Sequence, residues 1–353
     1  MLFGYPATAI QDNWLHNCIC NSLRTLHGLI DSNASLPKWP KILPTAHQDA
    51  LKSRSGLRKR FEEYDTIART LNKAERDRIL QILDEENAIP QLLSGLQQCG
   101  RTCDLPAVIQ ESVKSIFGFS FGLLTPLKVR DEQYKAIYEA SEEHVCPFCG
   151  TEYFDAPDAK REALDHYLAL NHYPFAAANM RNLVPMGHKC NSSYKLAADI
   201  LKDETGASRV AYDPYNHAGV TLDLDQSAPF GGSKESIPSW VVDFVPTGPA
   251  TKTWDEAFSI VKRYKRDHLD PSFHSWLALF GKWAKRENIP VATDNSLIAA
   301  LKRYEESWRE GGIVDRAFLK AAVFQMLRRH CELGDQRLLV QLRDVATKAK
   351  KIK

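Results

Sequence analysis

The sequence predicts a mainly α protein in which helical regions flank a small metal-knuckle module. Three observations carry that expectation. Apolar residues recur at spacings of three and four through the first and last thirds, Cys146, Cys149 and Cys190 gather in the middle, and strand-like alternation is short, as in Val220–Asp225. The organisation expected is a helical region over 1–133, a metal module over 134–205, and short strands followed by helices over 206–353.

Residues 1–50 offer a helix through Ser22–Ile30, after which Pro37, Pro40 and Pro44 break any continuation because proline lacks an amide donor. From Gly56 onward, Leu57, Phe61, Tyr64, Ile67 and Leu71 line one helical face. Asn72 followed by Glu75 has the form of a capping box opening a helix over Ala74–Leu83, with Ile79, Ile82 and Leu83 as its apolar stripe. Shorter helices are expected over Gln91–Cys99 and Ala107–Phe117. Phe117–Pro126 mixes Gly118, Gly122 and Pro126 with apolar residues and reads as a buried connector, and a helix through Tyr134 and Ile137 then leads into the first cysteine pair.

Beyond the module, Val210–Gly219 is rich in turn residues, with Asp213-Pro214 as a turn initiator. Val220–Asp225 alternates as a strand does, and Pro229–Pro249 reads as a loop or a short hairpin. Helical periodicity returns over Trp254–Tyr264, Phe273–Arg286, Ser296–Gly311 and Asp315–Leu333, with Gly311, Gly312 and Gly334 available as stops.

At 353 residues the chain is long enough for two or three cores. Hydrophobic residues at 44% and charged residues at 25% argue against global disorder. No apolar run approaches the roughly 18 residues of a membrane span, so no membrane partner is expected. The start lacks a basic n-region and a long apolar stretch, which points to no secretory signal and a cytoplasmic location. Eight cysteines are too sparse for a disulfide scaffold and suit thiols or metal ligands; Cys18, Cys20, Cys99 and Cys103 read as buried apolar side chains. A net charge of +2 does not by itself imply a nucleic-acid partner. The basic clusters at Lys52–Arg60, Lys262–Arg266 and Lys348–Lys353 read as solvated faces, the last of them frayed.

The chemistry concentrates between Cys146 and Lys195. Cys146-Pro-Phe-Cys149 places two thiolates on one tight turn, as a tetrahedral zinc site requires. Asp165-His166 joins a hard oxygen donor to an imidazole that is neutral near pH 7 and can take a proton from water. Asn182-Leu-Val-Pro185 and Cys190-Asn191, with Lys195 one helical turn on, complete the series.

In this order the residues resemble the HNH endonuclease family, over roughly residues 140–200. The resemblance implies a ββα-metal fold and metal-dependent hydrolysis of phosphodiester bonds, with DNA as the first expectation. It implies that His166 is the general base and that Asp165 and Asn191 hold a catalytic Mg²⁺ or Mn²⁺. Asn182 fixes the catalytic loop or orients His166, and Lys195, Lys189 and Arg181 contact nucleic acid. Tyr173 and Phe175 pack beneath the loop. A structural Zn²⁺ on Cys146, Cys149 and Cys190 is also implied, but Gly187 stands at the family's third cysteine. Either His188 completes the zinc site, or another residue such as His144 does, or packing alone holds the module. HNH modules with long helical extensions resemble effectors of bacterial anti-phage systems, some of which work with an ATPase. This chain has no phosphate-binding Gly-x-x-x-x-Gly-Lys loop, so nucleotide control would come from such a partner. The alternative expectation is a catalytically silent, zinc-stabilised scaffold that binds nucleic acid or protein.

Overall fold

The computed structural model describes residues 1–141, 143–159 and 164–348. The protein is mostly helical with a few short strands, and it divides into two compact units. The first comprises Phe3–Cys146 and Tyr153–Ala218 together with Met1; the second comprises Gly219–Lys353, Leu2 and the Pro147–Glu152 turn.

In the first unit the helices are α1 (Trp14–Asp31), α2 (Ser55–Ala68), α3 (Lys73–Asn87), α4 (Ile89–Leu93), α5 (Ala107–Leu123) and α6 (Val129–Ala140). Each follows an apolar face: Leu15, Ile19, Leu23 and Leu26 on α1 are buried, as are Leu57, Phe61 and Tyr64 on α2. The expected capping box is present, with the Glu75 amide donating to Asn72 Oδ1 at 3.0 Å and the Asn72 amide to Glu75 Oε2 at 2.9 Å. α3 runs past Leu83 to Asn87, and this extra turn reaches the functional loop.

Two expectations are corrected here. Phe117–Pro126 is not a connector, because α5 continues to Leu123. Phe117, Ser120 and Leu123 are buried in the helix, the Ser120 hydroxyl donates to Ile116 O at 2.8 Å, and a Cβ at Gly118 would lie 3.6 Å from Leu170 Cδ1. Packing on that face outweighs the low helix propensity of glycine. The expected helix over Gln91–Cys99 shrinks to α4, since the chain turns at Ser94 and passes Gly95 with φ of +75°.

The first unit also holds a two-stranded antiparallel ribbon, β1 (Leu164–His166) and β2 (Leu183–Pro185), in which Asp165 faces Val184 and His166 faces Leu183. Past it, Cys190–Lys195 forms a single wide π-turn that ends at Leu196 with φ of +47°, where an α-helix was expected.

In the second unit β3 (Thr221–Asp223) is antiparallel to a later strand, Asp243–Val245, while β4 (Ala228–Gly231) and β5 (Pro238–Ser239) form a short hairpin, one of the two forms that the sequence left open. The later strand is β6. The helices are α7 (Pro249–Phe258), α8 (Ile260–Arg263), α9 (Asp270–Arg286), α10 (Asp294–Arg309), α11 (Ala317–Glu332) and α12 (Gln336–Lys348). Ser259, at φ of +51°, separates α7 from α8, which splits the expected Trp254–Tyr264 helix. The core of α9–α11 is aromatic, with the Tyr304 ring 5.4 Å from Phe280 and 4.7 Å from Phe324. α12 was not expected from the sequence; it buries Leu338, Leu339, Leu342 and Ala346. The tail beyond Lys348 lies outside the described residues. No helix among the described residues is long and apolar enough to cross a membrane. Cys18 and Cys20 are buried as expected, but Cys99 is only half-buried and Cys103 is exposed.

Candidate metal and catalytic site

β1 carries Asp165 and His166 side by side, and the loop that returns from β1 to β2 closes over the imidazole. His166 Nε2 lies 3.0 Å from the Ala177 carbonyl oxygen. A carbonyl only accepts, so Nε2 carries a proton, and the tautomer this selects has its lone pair on Nδ1. Nδ1 stands 3.4 Å from Asp165 Oδ1, so base and carboxylate border the same space. The His166 ring is nearly buried against Phe121, with centroids 4.2 Å apart, whereas the Asp165 side chain remains 36% exposed and open to a ligand.

The Asp165 carboxyl is held down to about 2. Burial opposes its ionisation, but the His166 ring in its protonated form, the His166 amide, which donates to Asp165 Oδ1 at 2.8 Å, and the charge of Lys195 outweigh burial. The folded-state pKa therefore lies below the unfolded value of about 3.9, and the unfolded chain binds the proton first. Asp165 contributes stability above about pH 4 that is lost as pH falls toward 2. The denaturation midpoints of wild type and Asp165→Asn should thus converge over that window in acid titrations.

Asn182 is fully buried at the head of β2 and spends its whole carboxamide on the loop. Its Oδ1 accepts from the Leu168 amide at 2.6 Å, and its Nδ2 donates to Leu168 O at 3.0 Å and to Ala176 O at 3.1 Å. It ties Leu168 to Ala176, the residue just before Ala177, and touches no reacting group. Asn182→Leu would strand the Leu168 amide and carbonyl, while Ala176 O keeps the Asn179 amide at 3.1 Å, and should cost at least about 2 kcal/mol in denaturant unfolding.

Lys195, at the end of the π-turn, is 2% exposed and is not the solvated phosphate contact that spacing alone suggests. Burial lowers its ammonium pKa to about 8, against the opposing charges of Asp165 and Asp199. Asp199 is a hub the sequence did not flag: it accepts from the Tyr173 hydroxyl at 2.8 Å, from the Leu201 amide at 2.9 Å, and from Arg101 at 3.3 Å. Arg130 was also missed. Its guanidinium donates to Leu164 O at 2.6 Å and lies 4.6 Å from the Phe121 ring that packs on His166. Asn191 is half-buried at the head of the π-turn, its amide bonded to Gly187 O at 3.0 Å. Lys189 is exposed, and Arg181 is engaged by Asp213 in the expected Asp213-Pro214 turn.

The three motif cysteines come together. The sulfurs of Cys146, Cys149 and Cys190 lie within 4.8 Å of one another, and all three residues are buried. Tetrahedral zinc with Zn–S bonds of about 2.3 Å needs sulfurs at such spacing, so the donor set fits three of its four ligands. The Gly187 amide donates to Cys146 Sγ at 3.3 Å and the Thr151 hydroxyl to Cys149 Sγ at 3.3 Å. Gly150, at φ of +65°, completes the knuckle, and a Cβ there would come within 2.5 Å of Leu2 Cδ1. At the third-cysteine position Gly187 thus offers a backbone donor in place of a sulfur. His188 is exposed and outside the group, and His144 instead stacks on Tyr138 at 3.7 Å. No fourth His, Cys, Asp or Glu joins the group among the described residues.

The chain matches no family model, no curated protein and no solved structure. The functional reading therefore rests on these residues and their geometry.

Proposed function

We propose that the Asp165–His166 site hydrolyses nucleic-acid phosphodiester bonds with a divalent cation, as an endonuclease of the HNH kind acting on DNA. The observation that carries this reading is the pairing of a tautomer-locked imidazole with an accessible, ionised carboxylate 3.4 Å from its lone-pair nitrogen.

His166 takes the proton of the attacking water at Nδ1, while Nε2–H stays on the Ala177 carbonyl and keeps the ring from turning. Asp165 and Asn191 would hold Mg²⁺ or Mn²⁺; a single carboxylate fits Mg²⁺, which keeps several waters and relies on substrate phosphates for the rest of its shell. When bound, that cation supplies positive charge to the phosphate and the leaving oxygen. The buried Lys195 ammonium offsets the charge that Asp165 and Asp199 place in the interior. Cys146, Cys149 and Cys190 would hold a structural Zn²⁺ that pins the π-turn carrying Asn191 and Lys195. A role as an anti-phage effector fits this chemistry, with an ATPase partner as the source of any nucleotide control.

The test is incubation of the purified chain with supercoiled plasmid, single-stranded DNA and RNA, in Mg²⁺, in Mn²⁺ and in EDTA. Cleavage that requires the cation is expected. Binding of nucleic acid without cleavage, unchanged by Mg²⁺, would favour the scaffold reading.

A further inference from the structure

The last turn of α3 buries a carboxyl group that the chemistry above does not use. Glu86 is 0% exposed, and its Oε2 accepts from the Phe175 amide at 2.7 Å. The Ala176 amide donates to Tyr173 O at 3.2 Å and lies close enough to help stabilise charge on the carboxyl. Its other oxygen, Oε1, has no hydrogen-bond partner among the described residues, so the Phe175 amide accounts for the hydrogen bonding of the group. A fully buried carboxyl is costly, and it persists only where its bonds matter.

What that bond holds is the short 3₁₀ turn Pro174–Ala176, and the next residue is Ala177. From the opposite side Asn182 Nδ2 holds Ala176 O at 3.1 Å. The neighbouring Asn87 accepts from Asn179 Nδ2 at 2.9 Å, which anchors the far end of the same segment to α3. The Ala177 peptide is thus fixed from both flanks, and its carbonyl is the one that receives His166 Nε2–H.

We infer that Glu86 is a positioning residue for His166: by holding the Phe175 amide at the centre of this turn it aims the Ala177 carbonyl at Nε2 and so keeps the imidazole lone pair on Nδ1, beside Asp165. The inference rests on the nuclease reading for its kinetic consequence but not for its structural one. Burial pushes the Glu86 carboxyl well above the usual range, against the pull of the two amides, so a neutral acceptor suffices and glutamine should replace it. Aspartate keeps the carboxyl but shortens its reach by one methylene.

The experiment compares Glu86→Gln and Glu86→Asp with wild type and His166→Ala, each checked for folding by circular dichroism. Imidazole ¹⁵N NMR at fixed pH assigns the His166 tautomer by difference from His166→Ala, and plasmid cleavage gives kcat and KM. Wild type and Glu86→Gln should show a single Nε2–H tautomer and kcat within about threefold of each other. Glu86→Asp should show mixed tautomers and a kcat lowered about 10- to 100-fold at unchanged KM, as for loss of an outer-shell partner of a ligand histidine. A folded Glu86→Asp with wild-type kcat and a single tautomer overturns the inference, as does a Glu86→Gln that loses as much kcat as Glu86→Asp. If the aspartate variant does not fold, the glutamine spectrum decides, a single tautomer supporting the inference and a mixture overturning it. Wild type that cleaves nothing refutes the nuclease reading alone, because the NMR comparison still reports whether Glu86 sets the tautomer.

Discussion

His166→Ala is expected to lower the cleavage rate by about 10²–10⁴-fold, the range for removal of a positioned general base. The loss should fall on kcat, because the ring is nearly buried and offers little surface for substrate binding. Asp165 and its electrostatic partner Lys195 remain in the variant, so cation affinity should persist. Rate measurements on plasmid DNA at saturating Mg²⁺, with Mn²⁺ binding followed in parallel, separate the two effects. A variant that loses cation binding together with activity would make His166 a ligand rather than a base.

The second large effect is expected at the thiol group. The purified chain should carry about one zinc, and Cys190→Ala should abolish its retention. A metal present at 100 to 1,000 times its Kd stabilises the folded state by about 2.7–4.1 kcal/mol. For a unit of this size that corresponds to roughly 5–16 °C in Tm. Thermal melts with and without a chelator, beside metal analysis, test this directly. Wild type should lose stability to the chelator and Cys190→Ala should not respond to it. A metal-free wild type that melts like Cys190→Ala would mean that packing alone holds the knuckle.

Local features were legible in the sequence wherever one segment contained both partners of the interaction. The capping box of α3 needs only Asn72 and Glu75, and the aromatic and aliphatic faces of α2, α9 and α11 repeat within themselves. Asp165 and His166 were readable because they are neighbours. By contrast, the continuation of α5 through Gly118 and Gly122 depends on what packs against it, and α12 buries its leucines at positions that a highly charged tail obscures.

The site shows the same division. Glu86 and Phe175 are 89 residues apart, and nothing local marks a helix-end glutamate as buried. Asp199 and Arg130 likewise acquire meaning only through Tyr173, Lys195 and Phe121, which the fold brings to them. Gly187 was read as a missing ligand. In three dimensions its amide is a donor to the Cys146 sulfur, a role that any residue's backbone can play and that no side-chain pattern reveals.

The most direct test of the central claim is the Mg²⁺-dependent nicking rate of supercoiled plasmid by wild type and by His166→Ala, purified side by side, with EDTA as the reference. Nicking by wild type that needs Mg²⁺ and falls at least about 100-fold in the variant is the result predicted here. Equal rates in the two proteins, or nicking that survives EDTA, would contradict the assignment of Asp165 and His166 as the hydrolytic site.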